Sequence, residues 1–581
     1  MLRGKVCVFP GGLFLLSWFL AAGCNSQATP RPEQQGEPAA NSSATPAASA
    51  PDTSGAAPLI QSIAASGTLA ELHAPNFSDY QPLVQALYQP VNFAPVWIRD
   101  GQPTAQAMAI IAALQSSLQK GLNPDDYDAS LWPQRLNALK ASSGSADTIA
   151  KFDAALTVAA MRYVSDLHIG RVNPKHFKFG IDVEQKKYDL PQFFSQNILS
   201  ASDVPKALAE VEPQYYFYQR AEAALQTYLK LAANYPTETL PEAPRAVAPG
   251  DSYSGVASLA TRLQLLGDLP QATVVDTSSG TYGGALVDAV KHFQNRHGIT
   301  PDGKLGKDTV AQLNAPISKR ITQLSDSLER WRWLPSSFAP LPVAVNIPGF
   351  KLRVFNPDHS VALTMNVVVG RALRTETPVF ADLMKYIVFR PYWNIPPSIV
   401  RSEVAPGIAK DPGGYLARKD FEITDSTGKV VTGGAVSAEV LAQLRAGKLM
   451  VRQRPGPKNA LGLVKFIFPN TNNVYLHSTP SPELFDRSRR DFSHGCVRVQ
   501  KPAELAAFLL KDQPNWTLDA VNAAMQSGAN NRQVNLTTPV PVILIYMTAV
   551  VEEDGQVYFY DDIYGHDKSL NAVLAKGPPY P

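Results

Sequence analysis

Cysteine is scarce in this chain, three residues in 581, and that scarcity excludes a disulfide-stapled fold. Two of the three, Cys7 and Cys24, fall in the first 24 residues, where processing of a targeting segment would remove one and modify the other. Cys496 is left without a partner, which suggests a working thiol rather than a structural one. Long apolar runs are missing too. The run Leu13–Ala22 falls short of the ~20 residues that a spanning helix needs. There are no long basic runs, the aromatics are scattered and the formal net charge is only +3, so nothing points to nucleic acid. His292 and His297 have no cysteine or carboxylate cluster to complete a metal site, and both read as structural. What the chain does have is 45% hydrophobic and 18% charged residues, an ordinary globular composition over a length that suggests roughly three to four domains.

Arg3 and Lys5 followed by Leu13–Ala22 read as a targeting segment, residues 1–23. It ends Leu20-Ala21-Ala22-Gly23-Cys24, which resembles the bacterial lipobox. That resemblance implies cleavage before Cys24, acylation of Cys24 and attachment to a membrane through the lipid; a plain secretory signal is the alternative. On either reading the protein leaves the cytoplasm. Asn25 stands where lipoproteins held at the inner membrane usually carry aspartate, which favours the outer membrane. Residues 24–59 are Gln, Pro, Ser, Ala and Thr with almost no large apolar side chains, a composition that cannot bury a core, so a disordered tether is expected.

Residues 60–245 are read as a helical domain, with apolar residues at helical spacing in Met108-Ile111-Leu114-Leu118, in Phe152-Leu156-Ala159-Tyr163 and in Leu225-Leu229-Leu231. A Pro-rich break, Pro241 to Arg245, opens residues 246–316. Three short apolar stripes follow, Leu259-Leu263-Leu266, Leu286-Val290-Phe293 and Val310-Leu313, which predict a three-helix module. In residues 317–581 a helix carrying Trp331 and Trp333 leads into short β-branched runs with Pro348-Gly349 and Asn356-Pro357-Asp358 turns. A Pro- and Gly-rich insertion at about 390–460 has the character of an active-site lid. Pro502 to Lys511 reads as a helix and Val540 to Val551 as a closing strand. The expected fold class is α+β multidomain: a helical scaffold, a three-helix module and a β-rich domain with a capping insertion.

The chemistry concentrates in one stretch. Val474-Tyr475-Leu476 reads as a buried strand that delivers His477 at its end, and Ser493-His494-Gly495-Cys496-Val497-Arg498 follows after a polar loop. A free thiol has a pKa of about 8.5 and attacks a carbonyl poorly while protonated. An imidazole within hydrogen-bond reach removes that proton and leaves a thiolate beside an imidazolium. Gly495 permits a tight turn before Cys496, and backbone N–H groups there would face a reacting carbonyl oxygen.

His477 followed by Ser493-His494-Gly495-Cys496-Val497-Arg498 resembles the catalytic signature of the L,D-transpeptidases, the YkuD-type domain. The resemblance implies that Cys496 is the nucleophile and His477 the general base, with an oxyanion pocket from Ser493, His494 and Gly495, and Ser478 orienting the base. It implies that Arg498 and Tyr475 meet substrate. Gly370, Thr377 and Pro378 sit where the family has a glycine and a Thr-Pro turn. Arg452 and Arg454, in the insertion that is similar to the family's cap, are candidates for binding stem-peptide carboxylates in bidentate fashion. Phe93-Ala94-Pro95-Val96-Trp97, Gly121-Leu122-Asn123-Pro124 and Asp166-Leu167-His168-Ile169-Gly170-Arg171 look like the N-terminal scaffold of the larger members, and Ala289 to Gln294 with Asp302-Gly303 resembles the peptidoglycan-binding domain.

The implied partners are peptidoglycan stem peptides in the periplasm of a Gram-negative bacterium, without a metal or organic cofactor, and a carbapenem-type adduct at Cys496 is expected. The implied product is a 3-3 cross-link formed through a thioester with loss of D-alanine. Other readings stay open at this point. A lone cysteine is most often an inert small hydrophobe, His494 has loop support as its plainer role, and surface arginines commonly bind nothing. The same centre could hydrolyse the thioester or attach a protein to the wall, and a non-catalytic wall-binding lipoprotein is the reading from another class. A papain-like protease has the opposite order of cysteine and histidine.

Overall fold

In the computed structural model the described residues are 55–142, 144–335, 338, 342–431 and 435–581. The targeting segment, Cys24 and the tether up to residue 54 lie outside them. Helix α1 (Ala146–Ile169) is the axis of the scaffold: Ser145 Oγ accepts from Thr148 N at its start, and Gly170 ends it at φ +83°. It is apolar nearly all round, with Phe152, Leu156, Ala159 and Tyr163 buried, because the helices Ala57–Ser66, Ala105–Gln115, Trp132–Ala141 and Val204–Val211 pack around it. The first of these begins inside the stretch read as tether. In Ala105–Gln115 the buried face is Ala107, Ile110, Ile111 and Leu114, not the expected Met108-Ile111-Leu114-Leu118. Ile111 and Leu114 of that stripe are buried, but Met108 is 45% exposed because the helix turns Ala107 and Ile110 to the core, and Leu118, 43% exposed, lies past the helix end in the turn Ser117–Lys120. Buried Asp153 pins the Phe93–Trp97 segment, accepting from Val96 N at 3.0 Å, Trp97 N at 2.8 Å and Tyr88 OH at 2.6 Å.

Helix α2 (Tyr216–Ala232) leaves the scaffold. The expected stripes then form α3 (Val256–Leu265), α4 (Ala285–Arg296) and α5 (Lys307–Leu313), with Leu259, Leu263, Leu286, Val290, Phe293, Val310 and Leu313 in one core. Helix α6 (Ile317–Trp333) joins everything and is polar where it is buried. Its Glu329, fully buried, accepts from Arg171 N at 2.5 Å and Val172 N at 3.1 Å in the scaffold. Its Arg330 bonds Asp567 at 2.6 Å in the C-terminal part of the chain.

Beyond α6 the apolar period becomes two. The strands are β1 (Val343–Asn346), β2 (Lys351–Phe355), β3 (Val361–Gly370), β4 (Phe380–Phe389), the short β5 (Trp393–Asn394), β6 (Phe421–Thr424) and β7 (Met450–Gln453), then β8 (Val464–Ile467), β9 (Leu476–His477), β10 (Asp491–Ser493), β11 (Val497–Val499) and β12 (Arg532–Ile545). Nine of them form one sheet in the order β10-β3-β11-β9-β8-β4-β12-β1-β2, and a further β2–β3 pairing closes it into a ring. Closure removes the free edges that an open sheet would expose. Helices α7 (Pro502–Leu509), α8 (Leu518–Gln526) and α9 (His566–Leu574) share the core. The closing strand begins earlier than expected, at Arg532. A register break between Asn535 and Val540, at Pro539, hid its first part from the sequence pattern. It also ends earlier, since Ala549–Val551 (β13) pairs with Val557–Phe559 (β14) in a separate hairpin.

The insertion at 390–460 is a folded cap. Strands β5, β7 and β6 make an antiparallel sheet, and Ile395, Val400, Val404, Ile408, Ile423, Leu444 and Val451 give it a core of its own.

Candidate active site

Strands β9 and β11 are parallel neighbours with Leu476 beside Val497 and His477 beside Arg498. Side chains alternate along a strand, so Leu476 and Val497 enter the barrel core and the register puts Tyr475, His477, Cys496 and Arg498 together on the other face. The signature residues therefore converge because of strand pairing, with 18 residues of chain looped out between His477 and Cys496.

The turn that presents Cys496 is held from several sides. Gly495 sits at φ +110°, a conformation that side-chain-bearing residues rarely adopt. Ser493 Oγ donates to Cys496 O at 2.6 Å and accepts from Gly495 N at 3.1 Å. Thr377 Oγ1 donates to Gly495 O at 2.8 Å and accepts from Gly370 N at 2.8 Å. Tyr564 OH donates to Gly370 O at 2.6 Å. A Cβ on Gly370 would lie 1.9 Å from Thr375 O, so only glycine fits beside this turn. Gly495 N–H is thus occupied by Ser493, whereas Cys496 N–H has no hydrogen-bond partner among the described residues. Replacing Thr377 with valine leaves two buried backbone groups unpaired; the expected cost is about 1–3 kcal/mol, with about a 10²-fold loss of any turnover that depends on the placement of Cys496. Thermal denaturation and rate measurements check both, and Thr377→Ser should recover most of each.

Burial, and next the Arg498 guanidinium, push the His477 imidazole down to about 3. Its Nδ1 lies 2.6 Å from Ser478 O. A carbonyl only accepts, so Nδ1 carries the hydrogen and Nε2 of the neutral ring keeps its lone pair. Burial raises the Cys496 thiol, against a smaller downward pull from Tyr475 and Arg498. Its Sγ lies 3.8 Å from Asn473 O. Among the described residues no hydrogen bond joins Cys496 to His477, so the expected thiolate–imidazolium pair is here a neutral thiol and a neutral ring on one face.

The other candidates divide. Ser478 is buried, and its Oγ accepts from Leu463 N at 2.7 Å and Val464 N at 3.2 Å. It orients the His477 ring through its carbonyl and holds β8, and its hydroxyl is taken up by Leu461 O. His494 Nε2 is 2.8 Å from Glu403 Oε1 in the cap. Arg498 lines a cavity of about 280 Å³ together with Trp393, Glu403, Tyr415 and Ser481; its Nε is buried and unpaired, and no carboxylate lies within ion-pair distance of it among the described residues.

Arg452 and Arg454 do not line that cavity. Glu422 stands directly opposite Arg452 across β6 and β7 and pairs with it, Arg452 also covers the Tyr392 ring at 4.4 Å, and Arg454 lies 3.6 Å from Asp420. Their charges belong to the cap's own sheet. Tyr564, Glu403 and Asn473 were missed by the sequence reading, and no local motif marks them. Among the described residues no group of three or more His, Cys, Asp and Glu is placed to hold a metal ion.

Three family models match the chain: the YkuD "L,D-transpeptidase catalytic domain" over 343–542, "Scaffold domain" over 46–225 and "Putative peptidoglycan binding domain" over 252–313. A Haemophilus influenzae protein described as "Putative L,D-transpeptidase" is 34% identical over 259 residues, which make up 44% of this chain and 51% of that protein. The match thus spans about half the length of this curated relative.

Proposed function

We propose that this chain, which matches the L,D-transpeptidase catalytic domain beside a scaffold domain and a putative peptidoglycan binding domain, cross-links peptidoglycan by cysteine acyl transfer. The observation that carries this reading is the single sheet face shared by Tyr475, His477, Cys496 and Arg498 beside the folded cap.

Cys496 Sγ attacks the carbonyl that joins the third-position diamino acid, at its L-centre, to the terminal D-alanine of a tetrapeptide stem. The thiol proton passes to His477 Nε2. The contact between Sγ and that nitrogen forms as substrate binds, when catalytic hydrogen bonds tighten. The unpaired Cys496 N–H is placed to donate to the developing oxyanion. Collapse of the adduct releases D-alanine, whose amine takes the proton from His477, and leaves a thioester on Cys496. The side-chain amine of a second stem attacks the thioester, its proton returns to the sulfur through His477, and a 3-3 cross-link is released. Arg498, without an ionic partner, suits a stem carboxylate, and the cap keeps water from the thioester.

Incubating the purified protein with tetrapeptide-bearing muropeptides and resolving products by mass spectrometry tests the reading: dimers support it, whereas tripeptide monomers alone would indicate hydrolysis. A carbapenem should add its mass at Cys496. Because the neutral His477 ring persists down to about pH 3, kcat/KM should stay level between pH 5 and 8 with no limb near the ordinary imidazole value of ~6.5; a limb at that position argues against His477 as the base. His477→Gln should lose about 10²–10⁴-fold in kcat. Export to the periplasm with Cys24 acylated belongs to the same proposal, and failure of Cys24→Ser to abolish palmitate labelling would count against it.

A further inference from the structure

The cap is joined to the barrel by a two-strand stalk. Its chain leaves β4 after Phe389 and returns to β8 at Val464, residues that face each other in the sheet, and Arg390 N donates to Leu463 O at 2.8 Å between the two crossing points. Both crossings hold left-handed backbone, Arg390 at φ +46° and Gly462 at φ +62°. A unit with a core of its own, hung from two adjacent strand ends, can turn there as a body.

Beyond the stalk the cap reaches the signature through Glu403. Residues 397–410 form one helical segment whose middle, Val400–Val404, is a single π turn, a departure from α geometry that recurs at functional sites. Val400 and Val404 sink into the cap's core, whereas the Glu403 side chain is 52% exposed and its Oε1 lies 2.8 Å from His494 Nε2. A carboxylate only accepts, so Nε2 carries the hydrogen. Among the described residues this is the one hydrogen bond that residues 397–410 make to the barrel.

His494 is the residue before Gly495, in the turn that Ser493 and Thr377 hold from the barrel; Glu403 fastens the same turn from the cap. Glu403 also lines the cavity, with Thr479, Pro480, Ser481 and Arg498 on its barrel side. Exposed pairs of this kind are weak. A weak pair can open for an entering stem and re-form behind it.

We propose that Glu403 is a positioning residue that latches the cap to the turn at Cys496 through His494, and that the latch sets how the thioester divides between amine and water. The division rests on the cross-linking reading above; the latch does not. Either nucleophile breaks the same C–S bond. An amine leaves an amide, water leaves the tripeptide acid, and in both cases the proton goes to the sulfur. Water needs only a gap, whereas the acceptor stem must be held in place, so an unlatched cap favours water.

The test uses the full chain and the variants Glu403→Ala, His494→Ala and the two together. With tetrapeptide-bearing muropeptides each single variant should raise the ratio of tripeptide to dimer about two- to fivefold, the range that an exposed pair can supply. The double variant should raise it no further, because one contact is lost in all three. Glu403→Gln keeps an acceptor for the Nε2 hydrogen and should stay near the unaltered ratio. An unchanged ratio in Glu403→Ala, or single effects that multiply in the double variant, overturns the division. Access to the thiol is read without turnover: the rate at which a polyethylene-glycol maleimide alkylates Cys496, divided by the rate for iodoacetamide to cancel changes in thiol reactivity, should rise by a similar factor in Glu403→Ala. An unchanged quotient overturns the latch. Should the unaltered protein form no dimers, the cross-linking reading falls, and the alkylation quotient still decides the latch.

Discussion

Cys496→Ala should abolish cross-link formation, with a fall of at least about 10⁴-fold, as expected when the nucleophile of an acyl-transfer centre is removed. It should also abolish the carbapenem adduct and leave the fold intact. The Sγ makes only weak polar contacts, 3.8 Å from Asn473 O and with Tyr475, on a partly exposed side chain, so the stability change should stay within about 1 kcal/mol. The turn itself is built from Ser493, Thr377 and backbone groups, none of which depends on sulfur. Muropeptide mass spectrometry beside thermal denaturation reads both quantities. Unchanged wall composition in cells carrying the variant, with wall binding retained, would instead favour a binding protein with an unused site.

Glu329→Ala should have the largest effect on stability, about 3–5 kcal/mol. Its carboxylate is fully buried and holds the backbone N–H groups of Arg171 and Val172 as well as the Arg171 guanidinium at 3.3 Å. Truncation takes the nearer carboxylate from a cation that is itself only 5% exposed, leaving it Asp126 at 3.8 Å, and strands two donors at the junction of scaffold and α6. Glu329→Gln keeps an acceptor and removes the charge, so its cost should be smaller and the guanidinium would carry most of it. Urea denaturation of the three proteins measures this, and an alanine variant with an unshifted midpoint would mean that water or a neighbour replaces the carboxylate.

The stretch from His477 to Arg498 was legible because its residue types are rare and local: one unpartnered cysteine, a glycine before it, a histidine at the end of an apolar run. The three stripes of the module could be read for a similar reason, since a short amphipathic helix declares itself by spacing alone. Other features could not be read this way. The pairing of Arg452 with Glu422 depends on strand register in the cap, and no arginine announces whether a carboxylate faces it. Tyr564 supports the Gly370 turn from far along the chain. The start of β12 was hidden by a register break at Pro539. Met108 fits a helical stripe whose Ile111 and Leu114 are buried while it is not, and Leu118 falls beyond the helix end, because periodicity tells neither which of two apolar faces meets the core nor where the helix stops.

The amino-acid order alone determined that this is a multidomain α+β chain with one thiol beside a histidine in an L,D-transpeptidase signature, since those facts reside in composition, spacing and local motif. Tertiary structure decided that His477 is neutral, that Thr377 and Tyr564 hold the turn at Cys496 and that Arg498 faces a cavity with its Nε unpaired. Burial, ion pairing and dielectric environment are properties of what packs against a residue, and the neighbours concerned here are mostly distant in the chain.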